Sequence, residues 1–179
     1  MKKKIAMDLQ LFSASVVEGR KLIYLFRRHA DAATVNGACI AYVTENERSK
    51  SRDADTTETK DGPVATPGAL EHEITATALL SVGGDIAYED LEDWLDNADL
   101  LDIWEANIAD PATTTGKYKG RYMQGYLTEL SASSPADDHA EVDVTFTING
   151  KGVTGEVTVT PTQIDQASYV FTDTPKTGV

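Results

Sequence analysis

The chain reads as a mainly antiparallel β domain with a single substantial helix. Period-2 alternation of apolar and polar residues recurs along it, most clearly in "ALEHEITATALL" (Ala69 to Leu80) and "EVDVTFTI" (Glu141 to Ile148). Just one stretch carries an apolar stripe at helical spacing, near Tyr88 to Asn97. A polar connection from about Thr44 to Gly68 contains "RSKSRDADTTETKDG" (Arg48 to Gly62), where both signs of charge alternate among Ser and Thr. A connection that long inside a compact domain is functional or disordered. Its charges suit pairing with a neighbouring copy of the same surface, so it reads as an arm for self-assembly.

Residues 1–17 open with "MKKKIAMDLQLFSAS". The lysines imitate a signal peptide, but Asp8 and Gln10 interrupt the apolar run, leaving it too short and too polar. The segment reads as a flexible basic arm ordered against a partner. No run of about 20 apolar residues exists, so no membrane span is expected. Residues 18–162 are expected to form the β domain, with 44–68 as its extended arm and 163–179 as a C-terminal tail.

"KLIYLFRR" (Lys21 to Arg28) is the first strand, and Asn36-Gly37 marks a turn into "ACIAYV" (Ala38 to Val43) as its paired strand. In Ala69 to Leu80, Leu70, His72, Ile74, Ala76, Ala78 and Leu80 share one face, and Glu71, Glu73, Thr75 and Thr77 the other. That pattern means one face in a core and one in water. The helix stripe is Tyr88, Leu91, Trp94, Leu95 and Ala98, with Asp85 as the expected N-cap. "LLDIWEANI" (Leu100 to Ile108) is a strand and "ADPATTTGKYKG" a loop. "YKGRYMQGYLTEL" (Tyr118 to Leu130) spaces tyrosines by four, but Gly120 and Gly125 disfavour a helix and tyrosines favour a strand. From Glu141, Val142, Val144, Phe146 and Ile148 point inward, and Glu141, Asp143, Thr145 and Thr147 outward. Asn149-Gly150 predicts a hairpin with "VTGEVTVT" (Val153 to Thr160) returning along it. A last edge strand is expected around Ala167 to Phe171.

A length of 179 residues supports one domain with a real core. A net charge of −13 argues against a protein that grips nucleic-acid phosphates. The single cysteine, Cys39, excludes an internal disulfide and sits in an apolar run, as a core residue does. His29, His72 and His139 lie in unrelated segments without metal-ligand spacing. The carboxylates between Asp85 and Asp110 lack the spacing of a calcium loop and read as a solvated helix face. GxSxG, P-loop, GxGxxG, HExxH and CxxC motifs are absent. No catalytic, cofactor-binding or metal residue is assigned, no cofactor is expected, and the chain does not read as an enzyme.

The segments "SKSRDADTTETKDGPVATPG", the Glu/Thr-alternating strand, the short acidic helix, "LLDIWEANI", "YKGRYMQGYLTEL" and "VDVTFTINGKGVTGEVT", in that order, resemble the major tail protein of long non-contractile-tailed bacteriophages. This is the tail tube protein, related to the tube protein of type VI secretion. The resemblance runs from about Gly19 to Thr160, and "MDLQLF" is similar to the start of other phage structural proteins.

The resemblance implies a β-sandwich or small β-barrel with a helix on its flank. It implies homohexameric rings stacked into a hollow conduit in the virion tail, assembled in the host cytoplasm. That conduit would hold the tape measure protein, meet tail terminator and distal tail proteins, and pass DNA into the host without specific binding. The arm would reach the next ring, putting Arg48, Lys50, Arg52, Asp53, Asp55, Glu58, Lys60 and Asp61 at the stacking contact. The expected lumen-lining residues are Glu71, Glu73, Glu141, Asp143 and Glu156, with Thr75, Thr77, Thr145 and Thr147 as neutral neighbours. The longer basic N-terminal arm departs from the family, and the chain stops too soon for an immunoglobulin-like decoration. The alternatives are a type VI secretion-like tube protein and a monomeric β-sandwich binding module.

Overall fold

One long strand organises the molecule. In the computed structural model, which describes residues 16–168, β7 (Lys117–Ser133) is flanked by three other strands. Before it come β1 (Leu22–Arg28), β2 (Val43–Ser51), β3 (Ala54–Thr59), β4 (Gly62–Pro67), β5 (Glu71–Leu79), helix α1 (Tyr88–Asp96) and β6 (Leu101–Pro111). After it come β8 (Glu141–Ile148), β9 (Val153–Thr158) and helix α2 (Pro161–Ser168). Seven strands form one antiparallel sheet in the order β1-β6-β7-β8-β5-β2, with β9 also on β7, and β3 and β4 form a separate two-stranded hairpin.

The sheet doubles over on itself. Phe26 of β1 stacks on Phe146 of β8 with ring centroids 4.6 Å apart, although those strands are not neighbours in the sheet. Between the two halves lie Tyr24, Ile74, Ala76, Leu101, Ile103, Met123, Leu127, Val142, Val144 and Ile148. Leu91 and Trp94 of α1 close this core. A second cluster sits on the other face of β1 and β6. There Ile23, Leu25 and Ala106 meet Val157, Val159, Cys39, Trp104 and Ile164 of α2. The strand β1 is therefore buried on both faces, which is why its sequence is an apolar run and not an alternation. Burial, with Asp85 adding a smaller effect, pushes the Cys39 thiol up to about 11, so it stays a protonated core residue.

Several expectations change. The segment Ala38 to Val43 forms no strand beside β1: Ala38 makes an isolated bridge with Phe26, and Val43 opens β2, paired with Ala78 of β5. Its side chains divide between the two cores, Ala38, Ile40 and Val43 in one and Cys39 in the other, and Tyr42 turns at φ 52°. Asn149-Gly150 is not a hairpin turn. Ile148 pairs with Gly125 and Val153 pairs with Tyr122, so β9 continues the direction of β8 along the same edge of β7. Gly150 and Gly152, both at positive φ, carry the chain past Met123 and Gln124. The N–H of Asn149 anchors that step by donating to the Gln124 carbonyl at 2.7 Å.

The helix begins at Tyr88, with the Asp90 carboxylate accepting the Ala87 N–H at 2.8 Å, so Asp85 is not its cap. Ala98 lies beyond its end at φ 51°. The strand β6 extends through Pro111, leaving a loop of residues 112–116 only. Ala167 and Ser168 are helical, and the rest of the expected last strand, like residues 1–15 of the N-terminal arm, lies outside the described residues. Among the described residues no helix is long and apolar enough to cross a membrane.

Gly125 sits where β7 exchanges one set of neighbours for another. A Cβ there would overlap the Thr147 carbonyl oxygen and come within 3.0 Å of Ile148. Gly125→Ala is expected to cost about 1–3 kcal/mol by overpacking. The check is urea denaturation, where the midpoint should fall at unchanged m-value.

Candidate functional site

Four strands expose a continuous polar face. Register sets Glu45 beside Thr77, Glu47 beside Thr75, Ser49 beside Glu73 and Ser51 beside Glu71. It then sets Glu73 beside Thr147, Thr75 beside Thr145, Thr77 beside Asp143 and Leu79 beside Glu141. The row continues into β7, with Tyr126 beside Thr147, Ser131 beside Asp143 and Ser133 beside Glu141. Because strand side chains alternate, this is the face opposite Ile74, Ala76, Val144 and Phe146. No Lys or Arg occupies it. Hydroxyls tie the strands together: Thr77 donates to Asp143 Oδ1 at 2.7 Å, Ser51 donates to Glu71 Oε2 at 3.1 Å, and Thr128 donates to the Thr145 carbonyl at 3.2 Å.

Of the carboxylates expected to act together, Glu71, Glu73, Glu141 and Asp143 share this face. Glu156 does not: it is paired with Lys119, on the part of β7 beyond the glycine step. The sequence reading missed Glu45 and Glu47 because it assigned them to a loop. Strand register with β5 reveals them.

The face ends at two unpaired edges. Among the described residues β2 pairs only with β5, and beyond Gly125 β7 pairs only with β8. Open edges of this kind are templates for pairing with another chain.

The polar connection divides in two. Its first part is β2, and its second is the β3–β4 hairpin, exposed on nearly every residue. The hairpin's base is pinned by the Gly68 N–H donating to the Asp53 carbonyl at 2.6 Å and by Arg52 donating to the Gly68 carbonyl at 2.8 Å. Asp53, Asp55, Glu58, Lys60 and Asp61 are exposed. Arg48 and Lys50 are placed differently. Arg48 is half-buried, with its Nε donating to Glu105 Oε2 at 2.5 Å, an oxygen that also accepts the Tyr24 hydroxyl at 2.9 Å. Burial and that carboxylate push the Tyr24 phenol up. Lys50 donates to the Lys151 carbonyl at 2.7 Å.

A third polar group went unnoticed in the sequence. Asp102 is 1% exposed, yet it is ionised. Burial alone would raise its pKa, but bonds from Tyr122 (2.6 Å), Arg27 (2.7 Å), His29 (2.9 Å) and Gln124 (3.2 Å) outweigh it and hold the carboxyl down at about 2. These donors come from β1, the turn after it and β7, so the carboxylate clamps three elements together.

Comparison with known proteins shows the family. Residues 16–154 match the family model for phage tail tube proteins. The chain belongs to the phage tail tube protein family. Over 168 residues it is 27% identical to a provisional tail protein of Staphylococcus phage phiMR25, covering 91% of this chain and 86% of that one. The SPP1 tail tube structure shares the fold at a TM-score of 0.68 and 16% identity, covering 84% of each chain. The tail of an empty gene transfer agent particle, refined with C6 symmetry, shares it at 0.59 and 11% identity, covering 78% of this chain and 99% of that one. The order of motifs in the sequence therefore reflects family membership, and the mainly β antiparallel fold is that of tail tube proteins. As a tail tube protein the chain is a structural subunit, and its notable features are surfaces and edges.

Proposed function

We propose that this tail tube protein closes into hexameric rings that stack into a conduit lined by the acidic face of β2, β5, β8 and the far half of β7. The observation that carries this is the four-stranded face itself, rich in carboxylates and hydroxyls, free of Lys and Arg, and bounded by two different unpaired edges. Two different edges make a heterologous contact, which closes into a ring when the rotation allows. The C6 symmetry of the gene transfer agent tail supports six copies. The role is structural and involves no enzymatic step.

Ring symmetry would turn each lumen carboxylate into a circle of like charges, repeated at every layer. DNA phosphates would meet a repelling wall and slide past without the counterion-releasing contacts that Lys and Arg make. The conduit would hold the tape measure protein until ejection, end at terminator and distal tail proteins, and deliver the genome through the host envelope. Glu156 is a weaker member of this lining, since it neighbours Lys119 and not the other four carboxylates.

Replacing Glu45, Glu47, Glu73 and Asp143 by Lys is expected to spare tube assembly and to slow DNA ejection, more at low salt than at high salt. A tube structure with these side chains on the exterior, or unchanged ejection from an intact charge-reversed tube, would end the lumen assignment.

A further inference from the structure

The strand β8 has ends of opposite charge. The turn before it holds Asp137 and Asp138, both exposed and, among the described residues, without an ion pair. From Glu129 to Gly150 there is no Lys or Arg, and the segments meeting that end of the sheet, 42–45 and 79–85, have none either. The opposite end is basic. Lys50 donates to the Lys151 carbonyl at 2.7 Å, and Arg121 makes a weak 3.5 Å contact with the same oxygen, so three cationic side chains gather at one loop.

Among the described residues none of these three cations has an ion pair. Glu105, the carboxylate buried beside them, already holds Arg48 and Tyr24, and Glu71 on the outer face is bonded to Ser51. The buried Nε of Arg121 has no hydrogen-bond partner among the described residues. Burial lowers the Lys50 pKa most, the neighbouring Arg121 and Arg48 charges add to that, and Glu105 opposes it.

We infer that the Lys50–Arg121–Lys151 end of one subunit receives the Asp137–Asp138 turn of a second copy in the adjacent ring. The eight residues of β8 separate the two ends by roughly 25 Å at strand rise, so the two charged poles lie well apart on one subunit. Each copy offers both halves of the contact at opposite ends, so the contact is head-to-tail and propagates without limit. It fixes polarity and register as well, because inverted rings would set acid against acid and base against base. The stacking charges then include Lys50 from β2 together with Arg121 and Lys151, and extend beyond the arm. This inference rests on the tube reading proposed above.

The test uses exposed positions, where the fold should be unaffected. Asp137→Lys/Asp138→Lys and Lys50→Glu/Lys151→Glu should each give correctly folded subunits, by circular dichroism and melting, whose tubes elongate about ten-fold more slowly or not at all. Combining all four reversals in one chain should restore growth, because its two ends are again complementary. Wild-type tubes with both reversed variants growing normally would overturn the pole-to-pole contact alone, as would a four-fold variant that stays defective. Wild-type protein that forms no tubes would overturn the tube reading itself.

Discussion

Asp102→Asn is expected to destabilise the subunit by about 3 kcal/mol, the range for removing one partner of a buried ion pair. The amide keeps the shape and can still accept from Tyr122, but it leaves the mostly buried Arg27 guanidinium without its counter-charge. The pH dependence identifies the cause. Asp102 has a folded pKa of about 2 against an ordinary 3.8, so its folded value is depressed. A depressed carboxyl contributes stability that is fully present above the ordinary value and is lost as pH falls through the folded one. About 2 kcal/mol should therefore disappear between pH 4 and pH 2 in the wild type. The variant lacks this contribution at every pH, so the stability gap between the two proteins should narrow on acidification. Urea denaturation at pH 7, 4 and 2.5 measures it. A gap that stays constant over that window would show that the Asp102 charge is not what binds β1 to β7.

How much of this was legible in the sequence depended on which signal each element used. Strands with one wet face were plain: His72, Ile74, Ala76 and Ala78 are buried in turn between Glu71, Glu73, Thr75 and Thr77, as alternation requires. The strand β2 was not, because its inward residues, Asn46, Arg48 and Lys50, are polar. Arg48 is half-buried against Glu105, 57 residues away, a pairing no local pattern announces. Asp102 was hidden for the same reason. Its donors lie at Arg27, His29, Tyr122 and Gln124, so nothing nearby marks it as the centre of a network. Asn149-Gly150 misled because the hairpin rule is local, while β9 was claimed by the unoccupied half of a longer strand. The outward carboxylates were readable one strand at a time. That they form a single face with Glu45 and Glu47 became visible only through register.

Excising residues 54–67, so that Asp53 joins Gly68, is expected to leave a folded, soluble subunit that cannot polymerise. The join is short, since the Gly68 N–H already donates to the Asp53 carbonyl at 2.6 Å. No buried residue comes from the hairpin, so its loss should change stability by less than about 0.5 kcal/mol. A wider cut from Arg48 to Asp61 would be uninformative, because it removes half of β2 and strips Glu105 of its cation. Assembly should respond quite differently. The hairpin carries Asp55, Glu58, Lys60 and Asp61 away from the sheet, and mixed charges of this kind set register across an interface more than they add affinity. An isolated two-stranded hairpin is marginally stable in water. Its backbone amides should therefore exchange quickly with solvent in the free subunit and become protected once rings stack. Electron microscopy of the excised protein and hydrogen exchange of the intact one read these two outcomes separately. Long tubes from the excised protein would reduce the hairpin to a surface loop. Equal exchange in subunit and tube would show that the neighbouring ring does not order it.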